Sequence, residues 1–139
     1  MILRSLSRYR DAGLLLLRIL IGLSFLAHGL PTLMAGPEIW IKLGKSMQFV
    51  GVGSYPIFWG LMASLSESVG GFLFLIGFVF RPACLFLLTT MTVATFMHFH
   101  TTPGSFREKW EVASHATELG SLFLSLLLIG PGKFSVDRE

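Results

Sequence analysis

The sequence predicts an all-α integral membrane protein: a four-helix bundle of up-down-up-down connectivity, with a short interfacial helix after the first span. Three observations lead there. Four long apolar stretches fill most of the 139 residues, each near the ~20 residues that cross a hydrocarbon core roughly 30 Å thick. The composition is 53% hydrophobic and 14% charged, and the mean hydropathy is +0.70, which fits no water-soluble domain. Four spans leave room only for short loops and tails, so residues 1–139 read as a single domain.

The first span is expected over residues 12–33, where Pro31 and then Gly36-Pro37 break the apolar run. Arg4, Arg8 and Arg10 ahead of it suggest a secretory signal. Arg18 and His28 interrupt the run, however, no A-x-A site follows, and three more spans come after, so the segment reads as a retained helix. The second and third spans are placed at 56–80 and 82–97, with Arg81-Pro82 as the tight turn between them. The fourth runs over 112–129 and stops at Gly130-Pro131-Gly132, where Pro cannot continue a helix. Between spans one and two, Ile39, Leu43, Met47 and Val50 recur at helical spacing among Glu38, Lys42, Lys45 and Gln48. That pattern describes a short helix in the interface plane, with a solvated loop as the alternative. Trp40, Tyr55, Trp59 and Trp110 fall near the outer boundary, as an aromatic belt does.

The net charge of +3 is spread between apolar blocks and forms no basic patch, so nucleic acid is not an expected partner. The charges report topology instead. Arg4, Arg8, Arg10, Arg81, Lys133 and Arg138 lie on one side, and Lys42, Lys45, Arg107 and Lys109 on the other. The bias places both termini in the cytoplasm. One cysteine, Cys84, excludes an internal disulfide, a C-x-x-C redox pair and a thiolate zinc site.

Ionisable residues inside the spans are the functional candidates, because an uncompensated charge there costs on the order of 2.5–3.5 kcal/mol on insertion scales. Arg18 shares a helix face with Gly22, Phe25 and Gly29, and its long side chain can either snorkel to the headgroups or reach inward. Glu67 stands near mid-membrane among Gly60, Ala63, Ser64, Gly70 and Gly71. Two readings stay open for it: a buried pair with Arg18 that fixes helix register, or a proton- or substrate-handling group. On the fourth span Ser114, Glu118, Ser121 and Ser125 form a stripe, with His115 a turn from Glu118. His28, His98, His100 and His115 are expected together in the outer third. A polar pocket built from His28, Glu67, His98, His115 and Glu118 is the ligand-site expectation. No metal is assigned, because His115-x-x-Glu118 occurs once and in the reverse order to the Glu-x-x-His of di-metal bundles.

Arg18 with Gly22, Phe25-Leu26-Ala27-His28-Gly29, Glu67 with Gly70-Gly71, Gly77 to Arg81-Pro82-Ala83, and the ending Gly130-Pro131-Gly132-Lys133-Phe134-Ser135-Val136-Asp137 together resemble the DoxX family of small four-span bacterial and archaeal membrane proteins. The resemblance implies residence in the cytoplasmic (inner) membrane. It also implies association with membrane redox systems such as thiosulfate:quinone oxidoreduction. Many relatives carry a lysine after the His-Gly, whereas Pro31 to Leu33 hold none here. The leading expectation is therefore a redox-associated accessory subunit binding a quinone-like or small amphipathic ligand in the outer half of the bundle. No cofactor motif is evident and quinone is the candidate. Lipid, a membrane or extracytoplasmic redox protein, and a second copy are the candidate partners. The alternative is a non-catalytic scaffold or a small-solute transporter.

Overall fold

A computed structural model describes residues 4–137. Arg138, counted in the charge bias, lies outside the described residues. A 3₁₀ turn over Arg4–Tyr9 leads into α1 (Arg10–Met34). Next come α2 (Pro37–Gly44), a 3₁₀ segment (Lys45–Val50) and α3 (Pro56–Leu65). A π-helical segment (Ser66–Gly70) joins α3 to α4 (Gly71–Ile76), followed by α5 (Phe80–Thr101) and α6 (Phe106–Ile129). Four helical stretches are long and apolar enough to cross a membrane: Leu6–Met34, Pro56–Ile76, Phe80–Thr101 and Phe106–Ile129. The all-helical fold class is as expected from the sequence.

Several boundaries differ from the sequence reading, each for a local reason. The second crossing ends at Ile76, not at residue 80, because Gly77 takes a left-handed φ of 68° and Val79 follows at 47°. Gly77 pays no Cβ penalty there, whereas Val79, a β-branched residue, adopts its positive φ against a steric cost. Arg81-Pro82 is consequently not the turn. Both sit in the first turn of α5, where Pro lacks an N–H that would be unpaired anyway. The fourth crossing begins at Phe106 instead of 112, because Ser105 and Glu108 form a reciprocal capping box that starts the helix early.

Glycines set how the helices approach. In the α2/α3 contact a methyl group at Gly60 would collide with the Trp40 carbonyl, and one at Gly44 with the Pro56 carbonyl. This pairing runs α2 antiparallel to the start of α3 at backbone-to-backbone distance. The sequence's short helix after span one therefore exists as Pro37–Gly44, continued by the 3₁₀ segment. Trp40 donates its indole N–H to the Thr32 carbonyl at 3.1 Å, and Phe49 stacks on His100 with centroids 5.5 Å apart, joining that segment to the end of α5. On α1, Gly22 faces Leu75 and Gly71, while Gly29 faces Glu67 and Ser68. Those two pairings fix the register of α1 against the second crossing.

The core joins all four crossings. Phe74 stacks on Phe80 at 5.2 Å, Phe123 meets Phe25 and Phe74 edge-on at 5.2 and 5.4 Å, and Cys84, Leu87 and Leu126 fill in around them. Edge-to-face geometry suits aromatic quadrupoles and adds to simple burial. The C-terminal segment then folds back beside the start of α1, with Gly132 against Leu14 and Lys133 4.0 Å from Asp11. Both described chain ends and the Gly77–Val79 turn thus share one end of the bundle, and α2 occupies the other.

Candidate functional site

Arg18 is buried to 2% exposure on α1, yet it does not meet Glu67. Gly29 lies level with Glu67, and eleven residues separate it from Arg18, an axial offset of about 16 Å at 1.5 Å per residue. The expected Arg18–Glu67 pair is corrected by that register. Arg18 instead donates from Nη1 to the Pro131 carbonyl at 2.8 Å and from Nη2 to the Phe134 carbonyl. Its Nε has no partner among the described residues. Snorkelling is also set aside, because the guanidinium is enclosed by protein.

The closing segment is tied back to the Gly77 turn and the start of α5. Asp137 accepts from the Phe80 N–H at 2.8 Å, satisfying an unpaired donor at the start of α5, and its own N–H donates to the Gly77 carbonyl at 2.8 Å. Val136 N–H donates to Ile76, and the Ser135 hydroxyl is close to the carbonyls of Gly132 and Asp137. Gly77 must be glycine for a second reason: a Cβ there would meet Ser135 and the Arg18 guanidinium. The terminal Gly-Pro-Gly-x-x-Ser-x-Asp run is thereby a structural clamp around Arg18.

Glu67 occupies a different layer. It sits in the π-helical segment, a one-residue widening that recurs at functional sites. Ser64, Ser66 and Ser68 around it are buried to 7% exposure or less. Ser64 and Ser68 return their hydroxyls to the Gly60 and Ser64 carbonyls, and Ser66 accepts from Thr90 at 2.9 Å, tying the second crossing to the third. The Glu67 carboxylate itself has no hydrogen-bond donor or salt-bridge partner among the described residues. His28 is exposed on α1 next to Gly29, whose close contact is with Glu67 and Ser68. The Gly29 contact therefore puts His28 level with Glu67, two of the five residues expected in the polar pocket.

The remaining candidates stand elsewhere. His98 is half-buried in the last turn of α5 with no hydrogen-bond partner among the described residues, and neighbouring His100 donates from Nδ1 to the Phe96 carbonyl at 2.8 Å. His115 and Glu118 are exposed on α6, on the side opposite its buried residues Ala113, Ala116, Gly120 and Phe123. Neither makes a hydrogen bond or ion pair with a described residue. Among the described residues, no three His, Cys, Asp or Glu side chains converge as a metal site would require. Sequence reasoning missed the Thr90–Ser66 bridge, whose signal was only one threonine in a threonine-rich helix.

A family model described as DoxX matches residues 13–100, a stretch that includes Arg18, His28, the π-helical segment and the Gly77 turn. Among curated proteins and among solved structures, none matches the chain.

Proposed function

The chain belongs to the DoxX family, and from that premise we propose that it is a membrane-embedded accessory component of a redox system. It holds the headgroup of a quinone-like amphipathic molecule against His28 and Glu67. What carries this reading is the Glu67 carboxylate, which is within a helix-widening turn, level with the His28-Gly29 step of α1, and without a donor among the described residues. A carboxylate at such depth needs a compensating partner. A quinol hydroxyl can donate to it, and a protonated imidazole can donate to a quinone carbonyl. Reduction of the quinone takes two electrons and two protons. In this proposal His28 and Glu67 pass the protons, and a partner redox protein supplies the electrons.

The setting proposed is the cytoplasmic membrane of a bacterium or archaeon with both termini inside. Arg8, Arg10, Arg81 and Lys133 cluster at the end of the bundle that holds the termini, which supports that orientation.

Titrating the detergent-solubilised protein with a short-chain ubiquinone analogue tests the reading by calorimetry. Saturable binding is expected, weakened at least about tenfold by Glu67→Gln and by His28→Ala, since a hydrogen bond to a charged group contributes ~1.5–3 kcal/mol. Helical content should stay that of the parent in both variants. Absence of saturable binding, or equal affinity in parent and both variants, would overturn the proposal and favour a scaffold role.

A further inference from the structure

Glu118 is twelve residues from the start of α6 and eleven from its end. The first turns of α6 carry Arg107, Glu108, Lys109 and Glu111, so its apolar stretch opens near Val112, and at 1.5 Å per residue Glu118 lies about 9 Å from that point and about 16 Å from Ile129, inside the hydrocarbon core. Its side chain is exposed on the surface of the single chain, and so is that of His115 one turn away. Ser121 and Ser125 continue the same exposed stripe, and each spends its hydroxyl on the carbonyl four residues back. These hydroxyls leave nothing to compensate Glu118. Beside the stripe, Thr92, Thr95, Thr117 and Ser121 line a groove between α5 and α6, floored by Gly120. The α1 face of Leu16, Leu20 and Leu23 is apolar instead, and lipid accepts it without cost.

From this we infer that the Glu118 face of α6 is the interface between two copies of the chain in the membrane, with His115 of each copy hydrogen-bonded to Glu118 of the other. The occupant follows from charge complementarity. One face carries a donor and an acceptor one turn apart, and a two-fold axis along the membrane normal satisfies both reciprocally with a single kind of chain. A partner helix of another protein would need its own matched acid and base. Ser121 and Ser125, four apart on the same stripe, are small enough for two α6 helices to come into close contact. The pairing removes from lipid a carboxylate that the isolated chain leaves exposed.

Single-cysteine cross-linking in membranes tests this, because native Cys84 is fully buried and can be left in place. On oxidation, Ser121→Cys and Ser125→Cys should each give a disulfide-linked dimer of the chain, and Leu20→Cys on α1 should not. In lipid vesicles, fluorescence energy transfer between labelled copies should show His115→Ala weakening dimerisation on the order of tenfold, as expected for losing two reciprocal interhelical bonds. Glu118→Leu should weaken it at least as much while the helical spectrum stays intact. Three results would each overturn the inference: stripe cysteines that stay monomeric, stripe cysteines that attach to a different polypeptide, or a dimerisation constant unchanged in both His115→Ala and Glu118→Leu.

Discussion

Arg18→Met is expected to free the Gly130–Asp137 segment and to cost the fold about 3–6 kcal/mol, because two bonds from a charged donor at ~1.5–3 kcal/mol each are lost. The buried Pro131 carbonyl would be left with no donor to meet it, and the part-buried Phe134 carbonyl would have to turn to water. Asp137 would then leave the start of α5, since the segment that delivers it is no longer held. Equilibrium unfolding in detergent measures the loss, and tryptic cleavage at exposed Lys133 reports release of the segment. Arg18→Lys should recover less than half, because one ammonium cannot reach two carbonyls with the guanidinium's planar fork. In a chain ending at Gly130, Arg18→Met should cost far less, since the carbonyls it serves are gone. Equal costs in the full and shortened chains would disprove the clamp.

That clamp shows where sequence reading reached its limit. Spans, their order and the inward face of Arg18, Gly22, Phe25 and Gly29 were legible, because burial on a helix follows a 100° periodicity that one strand of sequence contains. Arg18 was also legible as a buried cation. Its partner was not, because partners depend on the axial offset between helices, and that offset is set by which glycine meets which backbone. With Gly29 opposite Glu67 and Gly22 opposite Leu75, Arg18 is carried down to Gly77 and the closing segment. The same offset brings His28 level with Glu67. The early start of α6 could have been read: Ser105-x-x-Glu108 is a capping box in plain sequence. The exposure of Glu118 and His115 could not, since helical periodicity gives a polar stripe but not whether it faces the bundle or the lipid.

Gly29→Ala is expected to be the most damaging added methyl among the glycines of α1, with a cost of about 3 kcal/mol, the upper end of ordinary overpacking penalties. The added carbon would overlap the Ser68 amide nitrogen and the Glu67 backbone. Backbone cannot rotate away as a side chain can, so α1 must move off the second crossing as a unit. Gly22→Ala, two turns along the same face, meets Leu75 Cβ at 2.6 Å and its Cα at 3.0 Å, and should cost less because its overlaps with backbone are shallower than those at Gly29. Gly13→Ala has nothing within 4 Å and should be neutral or slightly stabilising, by up to ~1 kcal/mol, as alanine is the better helix former. The series therefore orders as Gly29, Gly22, Gly13 in unfolding measurements on the same chain. It also separates stability from site geometry: moving α1 outward carries His28 away from Glu67, so Gly29→Ala should lose quinone-analogue affinity even under conditions where it remains folded, and Gly22→Ala should lose less. A Gly29→Ala protein as stable as its parent would show that α1 does not meet Glu67 in this register, and the His28–Glu67 site would fall with it.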